Sequence, residues 1–216
     1  MRAALAFVAC CLAPAAGAQS VSLDELTAKL DARSDELSGF RRLLADPDPD
    51  RALGAMTLIM ETGDPVLINL ALEAGLTSAQ PVMRKTALDA FIATRPTLFA
   101  RAELKDDEEA RLDHFKKFVE RAGGSLASET TAIIPLPTGP WDAEKRCFVI
   151  DEGEDAPCHA RIGGDGVAYL LAAGRGGYEA WAGFELGEDG RLIGSASAQY
   201  SGGPVTLTVD LLGGGE

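Results

Sequence analysis

Cys147, Cys158 and His159 are the residues whose types and spacing point most directly to chemistry, and Asp151, Glu152, Glu154 and Asp155 lie between the two cysteines. Ten residues separate Cys147 from Cys158, among them the turn-forming run from Asp151 to Asp155 with Gly153 at its centre. In an oxidising compartment this spacing predicts a disulfide across a β-hairpin, with Glu152 and Gly153 near the tip. Closing so short a loop stabilises a fold by roughly 3 kcal/mol in the chain-entropy account. Two metal chemistries compete with this reading. Cys147, Cys158 and His159 form a zinc-type donor set that lacks a fourth ligand. The four carboxylates supply the oxygen donors that calcium takes, but not with the spacing of an EF-hand loop, and a solvated acidic tip is the simpler reading. No metal or cofactor is assigned. His159 with Asp155 has the residue types of an acid–base pair, yet a strand residue beside a disulfide is more often inert.

Trp141, Tyr178 and Trp181 are the candidate ligand-binding residues of the C-terminal region. Tyr178 and Trp181 have opposite strand parity, so they point to opposite faces, and one of them at the surface beside Glu179 can stack on a sugar ring. Catalytic signatures are missing from the sequence. No Gly is followed by Lys-Ser or Lys-Thr, no G-x-G-x-x-G opens a helix after a strand, and neither G-x-S-x-G nor H-E-x-x-H occurs. A carboxylate-dependent hydrolase that uses paired acids and His159 would rest on the abundance of acids alone. No catalytic residue is assigned.

The chain of 216 residues carries a formal charge of −13. The excess of acids is uneven: residues 19–124 hold 14 basic and 19 acidic groups, residues 125–216 hold 5 and 14. Such a surface repels nucleic acid and anionic membranes and attracts basic partners or cations. At the N-terminus Met1-Arg2 precedes an apolar run from Ala3 to Leu12, then Pro14 and Ala16-Gly17-Ala18. A basic start, a short apolar segment and a small-x-small end predict a secretory signal peptide cut after Ala18. The mature chain would start at Gln19, lose Cys10 and Cys11, and keep Cys147 and Cys158 as an even pair. No apolar stretch of the length needed to span a bilayer follows, so no transmembrane segment is expected in the mature chain.

Two periodicities position these residues. From Val21 to about Ala122 the apolar spacing is helical. Leu23, Leu26, Leu30, Leu37, Phe40 and Leu44 fall on one face of a long helix. Asp48-Pro49 and Asp64-Pro65 are helix starts, with an acceptor side chain before a proline that has no N–H to satisfy. Pro49, Pro65, Pro81 and Pro96 recur every 16, 16 and 15 residues. Counted from the prolines, Ala55, Ala71 and Ala87 share one small position, and Met56, Leu72 and Leu88 the large one after it. Units too short to bury their own faces should stack as antiparallel helices with short turns. With Pro81-Val82-Met83-Arg84-Lys85-Thr86-Ala87-Leu88 as its clearest unit, the segment of about residues 46–104 resembles HEAT-type helical repeats, which implies a scaffold or binding surface. After Pro96 a shorter helix is expected to about Leu104, then another whose apolar face holds Leu112, Phe115, Phe118 and Val119 and which stops at Gly123-Gly124.

From Ser125 the period changes to two. Pro135, Pro137 and Pro140 suggest a stiff connector or edge segment. Six strands follow, from Cys147 to Leu211, with hairpin turns at Asp165-Gly166 and Asp189-Gly190. The expected fold is α+β. An antiparallel helical-repeat stack (residues 19–124) follows the signal peptide (1–18) and precedes an antiparallel β barrel or sandwich of six or seven strands (125–216). The expected function is that of an exported, periplasmic or extracellular interaction or scaffold protein, which binds another exported or envelope protein through the helical surface. The alternative is a carbohydrate- or envelope-binding module built on the exposed aromatics.

Overall fold

A computed structural model describes residues 22–105, 109–150, 157–163, 166–174, 178–196 and 203–212. The protein is α+β, with packed N-terminal helices followed by one open antiparallel sheet of ten strands. Two compact units divide the chain, Met1–Ser38 and Gly39–Glu216.

Helix α1 (Leu23–Leu44) carries Asp24 and Glu25 in its first turn and Arg41 and Arg42 in its last, the placement that suits the helix dipole. Its expected apolar face is bare over the first half. Leu23, Leu26 and Leu30 are exposed, and Leu44 is its one buried residue. Helices α2 (Pro49–Glu61), α3 (Pro65–Leu76) and α4 (Pro81–Ala93) each begin at one of the periodic prolines. Asp48 Oδ1 accepts from the Asp50 and Arg51 N–H groups at 3.0 and 3.4 Å. Asp64 Oδ1 accepts from those of Val66 and Leu67 at 2.8 and 3.4 Å. The first free donors of both helices are thus satisfied. Each helix is followed by a threonine, Thr62, Thr77 or Thr94, whose hydroxyl donates back to a carbonyl of the last turn.

Successive helices α2, α3 and α4 pack on one another. Ala71 and Ala87 are fully buried, and so are Met56 and Leu88. Gly75 marks the closest approach. A Cβ there would lie 2.5 Å from Ala87 Cβ and 2.7 Å from Met56 Sδ. Gly75→Ala should therefore destabilise the protein, by about 1–3 kcal/mol of overpacking less the ~1 kcal/mol that alanine gains in a helix. A urea titration against the unaltered protein checks this, and Gly54→Ala, where a Cβ meets nothing within 4 Å, should show the gain alone.

The sheet begins earlier than the change of period suggests. Strand β1 (Thr97–Leu104) lies where a helix was expected, and it pairs with β3 (Thr131–Pro137) and β10 (Val205–Asp210). Its residues alternate strictly, with Leu98, Ala100, Ala102 and Leu104 buried and Phe99, Arg101 and Glu103 exposed. The proline-rich connector is also a strand. Thr138 N–H donates to the Pro96 carbonyl toward β1. By alternation Pro135 and Pro137 turn their missing N–H positions away from β1, where no ladder bond is lost. The remaining strands are β2 (Ser125–Leu126), β4 (Trp141–Asp142), β5 (Cys147–Val149), β6 (Cys158–Gly163), β7 (Gly166–Gly174), β8 (Tyr178–Leu186) and β9 (Arg191–Ala196). The order is β2-β3-β1-β10-β9-β8-β7-β6-β5-β4, all antiparallel. The expected barrel or sandwich is corrected to a single sheet that does not close, because β2 and β4 stand at its two ends instead of pairing. Of the two expected hairpin turns, the loop Gly187–Gly190 has Gly190 at φ 74°. Asp165 lies outside the described residues.

Helix α5 (Glu109–Arg121) explains the shape of the sheet. It touches β2 and β3 on one side and β7 on the other. Strands β3 and β7 are five positions apart, about 24 Å in a flat sheet at ~4.8 Å per strand. A helix is only about 10–12 Å across, so the sheet curves around it. Phe115, Phe118 and Val119 of α5 are buried. Small residues on the buried face, Ala100, Ala102, Ala132, Ala182 and Ala196, leave room for the bend. Gly194 stands opposite Phe184, and a Cβ there would run into the Gly183 carbonyl oxygen and the Phe184 ring.

Candidate functional site

The cysteines form the expected disulfide, with S–S 2.00 Å and Cα–Cα 5.7 Å. Their place in the ladder differs from a symmetric hairpin. Cys158 pairs with Val149, and Ala160 pairs with the adjacent Phe148, so His159 is an extra residue in β6. Such a bulge turns the inserted side chain away from simple alternation. His159 accordingly goes inside. It is buried, its ring stands edge to face on Tyr169 at 6.1 Å, and Tyr169 stands likewise on Phe184 at 6.2 Å. The Tyr169 and Thr138 hydroxyls are 2.7 Å apart and both residues are buried. The His159 ring nitrogens have no hydrogen-bond partner among the described residues. Asp151, Glu152, Glu154 and Asp155 lie outside the described residues, and among the described residues no three His, Cys, Asp or Glu side chains group to hold a metal.

Burial holds the His159 pKa below its ordinary value and pushes that of Tyr169 up, the latter against its hydrogen bond to Thr138. For His159 the unfolded chain binds the extra proton, so its contribution is fully present above about pH 6.5 and is lost as the pH falls toward the depressed folded value. For Tyr169 the contribution is present below about pH 10 and is lost as the pH rises toward the raised value. Urea midpoints at pH 7.5 and pH 5 should show lower stability at pH 5. His159→Phe, which keeps the ring on Tyr169, should reduce that difference, and an unchanged difference would place the acid sensitivity elsewhere.

Trp141 and Trp181 do not converge. Trp141 lies on the end strand β4, 48% exposed, with its ring edge on Phe148 at 5.0 Å. Trp181 lies on β8, four strand positions away, or about 19 Å along the sheet. It is half-buried, and the Arg161 guanidinium sits 5.0 Å from its ring centre. The Tyr178 side chain lies outside the described set. A shallow groove of about 780 Å³ with a mixed lining lies across the sheet, with Lys105, Arg161, Glu185 and Thr206 beside Ile162 and Ile193.

The apolar groove is elsewhere. Phe40 and Leu43 of α1 face Gly54, Ala55, Leu58 and Ile59 of α2 across a space of about 480 Å³. Leu58 is 67% exposed and Leu43 is also exposed. Gly54 contributes no side chain and leaves its stretch of the wall open. Asp46 and Arg51 stand at the rim, paired at 3.1 Å. Apart from that charged pair and Thr62, the lining is apolar, with Phe40, Leu43, Leu58 and Ile59 as its large side chains. Sequence reasoning missed it because the repeat register pointed to inward residues such as Met56. The available signal was that α2 is apolar on a second face, at Gly54, Ala55 and Leu58. Compared with family models, curated proteins and solved structures, the chain matches none.

Proposed function

We propose that the protein is an exported interaction protein that holds an apolar helix of a protein partner in the groove between α1 and α2. The groove itself carries this reading, since Leu43 and Leu58 are large apolar side chains left in water beside an open concave wall. The signal-peptide pattern at residues 1–18 and the disulfide support export. Over the helices Pro49–Ala93, short of the strand Thr97–Leu104, the likeness to HEAT-type repeats supports a binding surface. A photoreactive residue in place of Leu58 should give an adduct with one exported protein. The same residue in place of Val82, an exposed position on α4 away from the groove, should not. Equal labelling from both sites would overturn the reading.

The second reading is a carbohydrate-binding module, favoured by the Arg161–Trp181 pair, whose Arg161 also lines the shallow sheet groove. Saturation-transfer NMR with envelope glycans tests it, with Arg161→Ala as the control.

A further inference from the structure

The charges around the apolar groove are of one sign. Residues 45–64, which span the turn after α1 and the whole of α2, hold five acids and one base. The base, Arg51, is already paired with Asp46. Asp50 and Glu61 are exposed, and none of the ion pairs among the described residues includes them. They stand eleven positions apart on α2. That is about three turns, or ~16 Å at ~1.5 Å per residue, so both fall on one side of the helix. Gly54 and Leu58, on the outer lip of the groove, lie between them, and all four fall within an arc of about 80°. Glu61 does not serve its own helix, because the last turn of α2 holds this acid and no base at the negative end of the dipole. On the other wall, Arg41 and Arg42 each lie roughly 130° around α1 from the Phe40–Leu43 face. Arg41 lines a separate space with Leu44 and Met83.

Resting on the proposed groove, we infer that its partner is a basic amphipathic helix of another exported protein. The large apolar side chains of that helix enter between Phe40, Leu43 and Leu58. Lys or Arg residues eleven positions apart on its flank meet Asp50 and Glu61. The partner's backbone comes nearest at Gly54, where a Cβ would meet nothing within 4 Å. A helix fits better than an extended segment. Both walls are helices whose inner N–H and C=O groups are bonded within the helix, so an extended chain would find no partners for its own peptide groups there. A helix brings its backbone already satisfied. The exposed acids add modestly to affinity, but they steer a basic helix in and turn an acidic one away.

Fluorescence anisotropy of three labelled synthetic helices, titrated with the protein as it accumulates in the producing cell, tests this. All three share one leucine stripe, and their flanks carry lysine, glutamine or glutamate. The lysine helix should bind most tightly and the glutamate helix least, with the difference shrinking as salt is raised. Any cationic peptide gains something from so acidic a chain, so the variants carry the test. D50K with E61K should weaken the lysine helix about fivefold or more and strengthen the glutamate helix. E129K with E144K makes the same charge change at exposed positions between strands of the sheet, and should alter binding by less than about twofold. Gly54→Leu fills the open wall without changing charge and should weaken all three helices. Equal losses from the two charge-reversed variants would overturn the basic partner. Equal binding of the three helices, each blocked by Gly54→Leu, would overturn it too and leave the groove standing. Binding that ignores Gly54→Leu, or no binding by any of the three, would overturn the groove along with its partner.

Discussion

Phe115→Ala should lower the stability of the protein by about 3–5 kcal/mol, the cost of emptying a large aromatic site in a close-packed interior. Phe115 is fully buried on α5, with its ring 6.5 Å from that of Phe118, on the helix that touches both β3 and β7. The surrounding strands cannot collapse into the space by sliding. They are tied to one another in a continuous ladder, and the cavity lies where the sheet bends. The cost should therefore fall near the top of the range rather than relax away. Phe99→Ala is the control, because Phe99 is an aromatic of the same size on the opposite face of β1 and is 60% exposed. It should change stability by no more than about 0.5 kcal/mol. Guanidinium unfolding of the two variants gives the comparison, and similar losses in both would mean that α5 is not the filling of the curved sheet.

Reduction of the disulfide, or Cys147→Ser with Cys158→Ser, should cost about 3 kcal/mol. The structure locates where that loss acts. Strand β5 is three residues long and β4 two, and together they form one end of the sheet beyond β6. Ladder bonds over so few residues hold weakly, so the covalent link carries much of the attachment. Amide exchange should accelerate first in β4, β5 and β6, while β1, β3 and β10 at the other end stay protected. Uniform acceleration over all ten strands would mean that the sheet unfolds as one unit. Free thiols at both positions in exported protein would remove the premise.

What could be read from the residues depended on how locally each feature is determined. The helix starts at Pro49 and Pro65 were legible because Asp48 and Asp64 act on N–H groups two and three residues away. Strand β10 was legible because Val205, Leu207 and Val209 alternate with polar residues. Strand β1 was not. Leu98 with Ala102 and Ala100 with Leu104 also fit helical spacing, alanine suits either state, and what decides is pairing with Val205–Val209, far along the chain. Pro96 continued a series of helix-starting prolines, but a proline opens a strand as readily. The burial of His159 was hidden because a bulge shifts parity by one residue and leaves no local mark in the sequence. The groove was hidden because it needs the outward faces of α1 and α2 together.

The strands at the two ends of the sheet, Ser125–Leu126 and Trp141–Asp142, are two residues each. An open sheet exposes backbone donors and acceptors at its margins, and a long margin is a template on which further chains polymerise. Here each margin offers an incoming strand very little to grip. Beyond Ser125–Leu126 the next strand presents Pro135 and Pro137, which have no amide hydrogen to give. The ten-stranded sheet can thus stay unsealed at both ends without seeding fibrils, even where the protein is crowded with copies of itself.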